Sequence, residues 1–400
     1  LSQSLELPIA HLAAFRSGMI SIPLFALFGE DALEFRLSNS EAKAIVTDEG
    51  GWEKLKKIRG RLPALRNVYV VGDEAPSGAR PFWASLKAAS PDFTTVDTSC
   101  DDPALIIYTS GTTGRSKGAM LTHGNLQSNA RALVDLWAIT NRDRLIHALP
   151  IFHIHGLFAA FNTALLAGAE LIFLPAFELR AVRRAMADAT VMMGVPTYYA
   201  RLLADPGFSA ADAAGVRVFI SGSAPLSPEV HSAFARRIGK PILERYGMSE
   251  AGMIASNPLD GPRIAGAVGH PLPGYHVRIA DNAETGVLEV KGASLFSGYW
   301  QMPEKTREEF RDDGYFSTGD IATIDVGGVV RIVGRDKDMI ISGGLNIYPV
   351  EIETLIERGM AFLVEHPRLA RLAELQGAVR RRGAQPRPRH RDLVADDFAR

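Results

Sequence analysis

Short apolar runs rich in β-branched residues recur through the first 280 positions and alternate with stretches of helical spacing. They are Ala44–Thr47, Asn67–Val71, Ala104–Tyr108, Asp143–Ala148, Glu170–Leu174, Val191–Gly194 and Val216–Ser221. That alternation predicts an α/β domain of stacked, largely parallel sheets flanked by helices. Ile9, Leu12 and Phe15 stand at helical spacing, so the chain opens inside a helix pattern, as a fragment lacking its N-terminus would. The longest apolar region, Leu157 to Phe177, is broken by Asn162 and Glu170 and reads as a helix followed by a strand, not a membrane span. From Tyr275 to Val333 the texture changes to short alternating strands with glycine turns, which predicts a small antiparallel β unit.

At 400 residues the chain is long enough for more than one structural unit. A formal net charge of −1 gives no electrostatic reason to expect nucleic acid or an anionic membrane as partner. Cys100 is the only cysteine, which excludes an intrachain disulfide and fits a reducing cytoplasm. After Glu357 the composition turns to arginine and proline, and such a tail would struggle to bury a core. A short helix over 361–379 followed by disorder is the most it predicts.

The densest chemistry lies in Tyr108–Gly118, YTSGTTGRSKG. Thr109, Ser110, Thr112 and Thr113 offer hydroxyl donors, Gly111 and Gly114 let backbone N–H groups turn toward an anion, and Lys117 supplies a counter-charge. A strand followed by such a loop suits a nucleotide polyphosphate. The Walker loop fails on spacing, because Ser116 precedes Lys117 and Gly118 follows it. A flexible surface turn is the plain alternative, but turns seldom need so many donors together. In Glu244–Gly252, ERYGMSEAG, Tyr246 offers a stacking face, Ser249 a phosphate donor and Glu250 a hard oxygen ligand for Mg²⁺. The alternative there is a strand-to-helix junction with Ser249 as N-cap. In Tyr315–Asp320, YFSTGD, a carboxylate directly after a glycine turn can accept both ribose hydroxyls, or merely cap the turn.

Taken in order, these motifs resemble the adenylate-forming superfamily of acyl-CoA synthetases, firefly luciferase and peptide synthetase adenylation domains. The resemblance implies catalytic roles for Thr109, Lys117, His153 and Glu250, the last also holding the metal. It implies nucleotide contacts from Ser110 to Gly114, from Ser221, Gly222, Ser223, Ala224 and Pro225, from Tyr246, Gly247, Met248 and Ser249, and from Asp320 and Arg335. His153, in PIFHIHG, stands beside the acyl site, with His155 as either a pocket or a packed core histidine. Lys337 resembles the hinge of a small C-terminal domain, and Gly343 and Gly344 the lining of a pantetheine tunnel. The implied reaction joins a carboxylic acid to ATP·Mg²⁺, releases pyrophosphate, and passes the acyl group from AMP to coenzyme A.

From residue 108 to 356 the resemblance is to malonyl-CoA synthetases. A dicarboxylate needs a second cation in the acyl pocket, and Arg263 in GPRIAGAVG matches one, beside Met253 and His153. Ile154, where several malonate enzymes carry a small polar residue, leaves a methylated or different acid open. The N-terminal part is more similar to medium-chain or acetyl-type synthetases, which implies a hybrid joined at the phosphate loop. The implied domains are a large one at 1–334, a hinge and small-domain start at 335–357, and an atypical tail at 358–400. No lysine follows Lys337, so nothing fills the family's C-terminal adenylation role. Losing such a preorganised cation costs on the order of 10²–10³ in rate. The expectations are therefore an impaired ligase for malonate or a related short dicarboxylate, a medium-chain or acetyl-type synthetase, or a non-catalytic ATP/AMP-binding remnant.

Overall fold

Residues 191–194 and 218–220 are apolar without a break because both faces of the strands they form are covered. Val191, Met193, Val218 and Ile220 enter one core, while Met192 and Phe219 enter another on the opposite face. In this computed structural model the described residues are 1–109, 116–338, 340–342 and 345–347.

The strands run as follows. β1 (Ala44–Thr47), β2 (Asn67–Val70) and β3 (Arg80–Pro81) form a parallel sheet. β4 (Pro103–Thr109) and β5 (Lys117–Thr122) pair antiparallel. β6 (Arg144–His147), β7 (Glu170–Phe173), β8 (Val191–Gly194), β9 (Val218–Ser221), β10 (Leu243–Met248), β11 (Gly252–Ser256) and β12 (His270–Pro271) make a seven-stranded sheet ordered β12-β11-β10-β9-β8-β6-β7. It is parallel from β10 to β7 and antiparallel at β11 and β12. Next come β13 (Tyr275–Ile279), β14 (Thr285–Gly292), β15 (Gly298–Tyr299), β16 (Phe316–Ile324) and β17 (Val330–Arg335). Four of these form the antiparallel sheet β13-β14-β16-β17, while β15 joins β5.

One local reading changes and two gain detail. The segment after Glu250 is a strand, not a helix, because β10 reverses into β11, so Ser249 caps no helix. The phosphate-loop motif connects two antiparallel strands, and the helix His123–Leu136 starts only after β5, closed by a capping box between Thr122 and Asn125. The apolar region after His153 opens as a π-helix, His155–Asn162, with Thr163 Oγ1 donating five residues back to Phe158 O at 3.3 Å. Such wide turns are frequent at functional sites.

The chain divides into Leu1–Asp336 and a second unit, Lys337–Arg400. In the second, Ile340–Ser342 pairs antiparallel with Leu345–Ile347. The tail reading over 358–400 lies outside the described residues. Among the described residues no helix is long and apolar enough to cross a membrane.

At the edge of β4 the N-terminal helix Glu6–Arg16 is fixed by a buried polar pair, His11 Nδ1 with Ser21 Oγ at 2.6 Å. Ser21 in turn bridges to the strand at Leu105. Burial draws the His11 pKa down from 6.5 to about 4, so the folded chain holds it neutral while the unfolded chain protonates it below 6.5. Its contribution is complete above pH 6.5 and is lost as pH falls through 4, a loss of about 3 kcal/mol. Urea unfolding between pH 7 and 4 should show that fall, and His11→Leu should flatten it.

Candidate nucleotide and acid site

Three polar clusters lie along β10 and the strands beside it. The first joins the phosphate-loop strands to the β10–β11 reversal. Thr109 Oγ1, at the end of β4, donates to Glu250 Oε1 at 3.3 Å, and Tyr299 Oη in β15 donates to the same oxygen at 3.2 Å. Lys117 opens β5, is buried, and sets its Nζ 3.2 Å from Tyr299 Oη and 3.2 Å from Glu309 Oε1. The same ammonium stands 4.2 Å over the Tyr299 ring. Glu250 is 6% exposed, and burial raises its pKa against the pull of the Tyr299 hydroxyl and the Lys117 charge. Such a carboxylate gains from a hard cation, and Mg²⁺ needs only one or two carboxylates alongside phosphate oxygens. Glu250 fits that demand.

The second cluster gathers Tyr246, Asp320 and Arg335. The Tyr246 hydroxyl donates to Asp320 Oδ2 at 2.5 Å, and Arg335 Nε lies 3.3 Å from Asp320 Oδ1. Asp320 and Arg335 stand opposite each other on β16 and β17. Gly319 adopts φ +71°, as a glycine turn requires, but it sits inside β16 rather than before a loop.

The third cluster surrounds Arg245, which is 2% exposed. Neither its Nε nor its Nη2 has a hydrogen-bond partner among the described residues. Its guanidinium lies against the backbone of Gly222, where an added Cβ would fall 2.5 Å from Cζ. Ser223, held at φ +73°, sets its Oγ 3.1 Å from His155 Nδ1. His155 is buried with Nε2 unpartnered among the described residues. Desolvation and the Arg245 charge lower the pKa of both His155 and His153, so both imidazoles are neutral at pH 7. Arg245 itself falls only to about 9, by burial against the opposing pull of Tyr199 and Glu244, and stays charged.

Of the expected residues, Thr109, Lys117, Glu250, Tyr246, Asp320, Arg335, Ser221, Gly222, Ser223 and His153 fall within these clusters or beside them. Ala224 and Pro225 follow on the surface, and Gly247, Met248 and Ser249 lie at the reversal. Gly247 cannot carry a side chain, since a Cβ would meet Gly252 O at 2.3 Å. Met253 is buried, its backbone held both ways by the Asn129 side chain. Ser110, Gly111, Thr112, Thr113, Gly114, Gly343 and Gly344 lie outside the described residues; Lys337 opens the second unit.

Arg263 corrects the sequence reading. Its guanidinium donates to three carbonyls, Pro258 at 3.2 Å, Pro241 at 2.6 Å and Leu259 at 2.7 Å. It braces the loop after β11, with Nε, Nη1 and Nη2 all committed to backbone carbonyls. Arg245, Tyr299 and Glu309 were missed. Arg245 stands inside the ERYG motif, and a charge within an otherwise apolar strand was the available signal.

A family model for AMP-binding enzymes matches residues 1–300. The chain belongs to the AMP-binding enzyme family. It is 36% identical over 397 residues to a malonate–CoA ligase of Arabidopsis thaliana, covering 92% of this chain and 63% of the relative. A mitochondrial malonate–CoA ligase of Mus musculus is 32% identical, with 93% and 68% covered. ATP-bound MatB from Rhodopseudomonas palustris superposes with a TM-score of 0.83 at 46% identity, over 88% of this chain and 71% of that one. The chain thus spans about two thirds of the length of these relatives.

The Gly222 contact is testable on its own. Gly222→Ala should destabilise the fold by about 1–3 kcal/mol in guanidinium unfolding, since a methyl there forces the buried Arg245 guanidinium to move. Wild-type stability would contradict the contact.

Proposed function

We propose that this chain binds ATP and a short dicarboxylic acid as the large domain of an AMP-forming acid–CoA ligase, with malonate or a close relative as the acid. The observation that carries it is the Arg245 guanidinium, buried with Nε and Nη2 unpartnered beside two neutral histidines. A lone buried charge is costly unless something arrives to pair with it. A carboxylate distal to the reacting one supplies that partner, and a planar guanidinium suits it. The similarity to malonate–CoA ligases supports the same substrate class.

In this reading Tyr246 presents its ring to the base, Asp320 and Arg335 address the ribose, and the turn Ser221–Pro225 flanks the adenine. Thr109 and the rest of the phosphate-loop motif face the polyphosphate. Glu250 would hold Mg²⁺, which when bound neutralises phosphate charge. The acid's near carboxylate attacks the α-phosphorus, a new P–O bond forms, and the bond to the β-phosphate breaks to release pyrophosphate. The coenzyme A thiol then gives up its proton to solvent, its sulfur bonds to the acyl carbon, and the bond from that carbon to the phosphate oxygen breaks to release AMP. The protein's share is positioning and a dry, charged pocket. Because His153 and His155 are neutral, they can orient an acid without adding charge.

Affinity for non-hydrolysable adenylate mimics separates the two arginines without requiring turnover. Arg245→Met should weaken a malonyl-adenylate mimic on the order of 10²-fold and an acetyl mimic little. Arg263→Ala should affect the two mimics equally. Equal losses from Arg245→Met would remove the dicarboxylate reading.

A further inference from the structure

The helix Glu30–Asn39 carries none of the motifs, yet three of its residues hold the strands that bear the phosphate-loop motif. Phe35 meets the Tyr108 ring edge to face at 6.2 Å. Asn39 Oδ1 accepts from Tyr108 Oη at 2.7 Å, and its carbonyl accepts from Trp300 Nε1 at 3.0 Å. Arg36 reaches furthest. Its guanidinium lies 4.1 Å from the Phe28 ring centre and 5.6 Å from that of Tyr108. Nη1 donates to Ala32 O at 2.8 Å, and Nη2 donates to Ser116 Oγ at 2.7 Å. Ser116 directly precedes Lys117, 80 residues away in sequence from Arg36.

Packing alone does not call for an arginine here. Arg36 is 8% exposed, and its Nε has no hydrogen-bond partner among the described residues. An apolar side chain would fill the space between two aromatic rings without the cost of burying a charge. What the guanidinium adds is direction. Stacking fixes its plane, the Ala32 carbonyl fixes one arm, and the other arm is left pointing at Ser116. It also sets a permanent positive charge one residue from Lys117, at the end of the motif that faces phosphate.

We propose that Arg36 is a positioning residue for nucleotide binding, acting through Ser116 to hold the C-terminal end of the phosphate-loop motif where a nucleoside triphosphate needs it. This rests on the ligase reading above, in which that motif binds ATP. Lysine cannot replace it fully, because an ammonium has no plane to stack and cannot hold Ala32 and Ser116 with two fixed arms.

The test is the dissociation constant for MgATP by calorimetry, with AMP as the comparison and the melting temperature as a fold check. The variants are Arg36→Met, Arg36→Lys, Ser116→Ala and the double variant Arg36→Met/Ser116→Ala. Arg36→Met and Ser116→Ala should each weaken MgATP by about 5- to 30-fold. AMP should be affected less, and the double variant should be no worse than Arg36→Met alone. Arg36→Lys should fall between wild type and Arg36→Met. Should Arg36→Met fail to fold, Arg36→Lys and Ser116→Ala still decide. Unchanged MgATP affinity in those two, or single losses that multiply in the double variant, overturns the role of Arg36 alone. A wild-type chain with no measurable MgATP binding overturns the ligase reading, and this proposal with it.

Discussion

A guanidinium removed from water must be matched, and Arg245 is matched incompletely by the protein around it. Glu244 precedes it on β10, but one of its oxygens is committed to the Leu226 amide, and burial raises its pKa to about 7. Tyr199 contributes a hydroxyl that itself donates to Ile220 O at 2.6 Å. The fold therefore keeps a strong, oriented cation in a dry place without giving it a full set of acceptors. Gly222 leaves room for it, and burial together with its charge keeps the neighbouring His155 neutral.

The three polar clusters lie near one another because one strand and the turn after it contribute to all of them. On β10, Arg245 stands in the cluster with His155 and Ser223 and Tyr246 reaches Asp320, while Glu250, in the turn between β10 and β11, meets Thr109 and Tyr299. The reversal depends on Gly247 and on Asn129, which holds both the amide and the carbonyl of Met253. β15 then brings Tyr299 across to β5, so that Lys117, Tyr299 and Glu250 form a continuous polar chain in a buried setting. A shift in any one of these strands would be felt in every one of these clusters.

Much of this was legible in the residues. The parallel strands announced themselves because both faces are buried, and Val191–Gly194 was readable to the residue. That Tyr246, Glu250 and Asp320 belong to polar clusters was readable because hydroxyl, glycine and carboxylate stand together there in the sequence. What stayed hidden was contact across long sequence separation. Nothing in the local sequence says that Tyr299 lies against Glu250, 49 residues away, or Arg36 against Ser116. Arg263 misled for the complementary reason: spacing can place an arginine near a pocket, but three nearby carbonyls decided where its guanidinium points.

The central claim is that one cleft activates an acid with ATP and selects a dicarboxylate by a buried cation. ATP–pyrophosphate exchange with malonate, acetate and octanoate in parallel tests it most directly. Exchange that depends on malonate and exceeds that with acetate or octanoate is the predicted result. Exchange driven by octanoate or acetate in preference to malonate, or MgATP binding with no exchange for any acid, would contradict it.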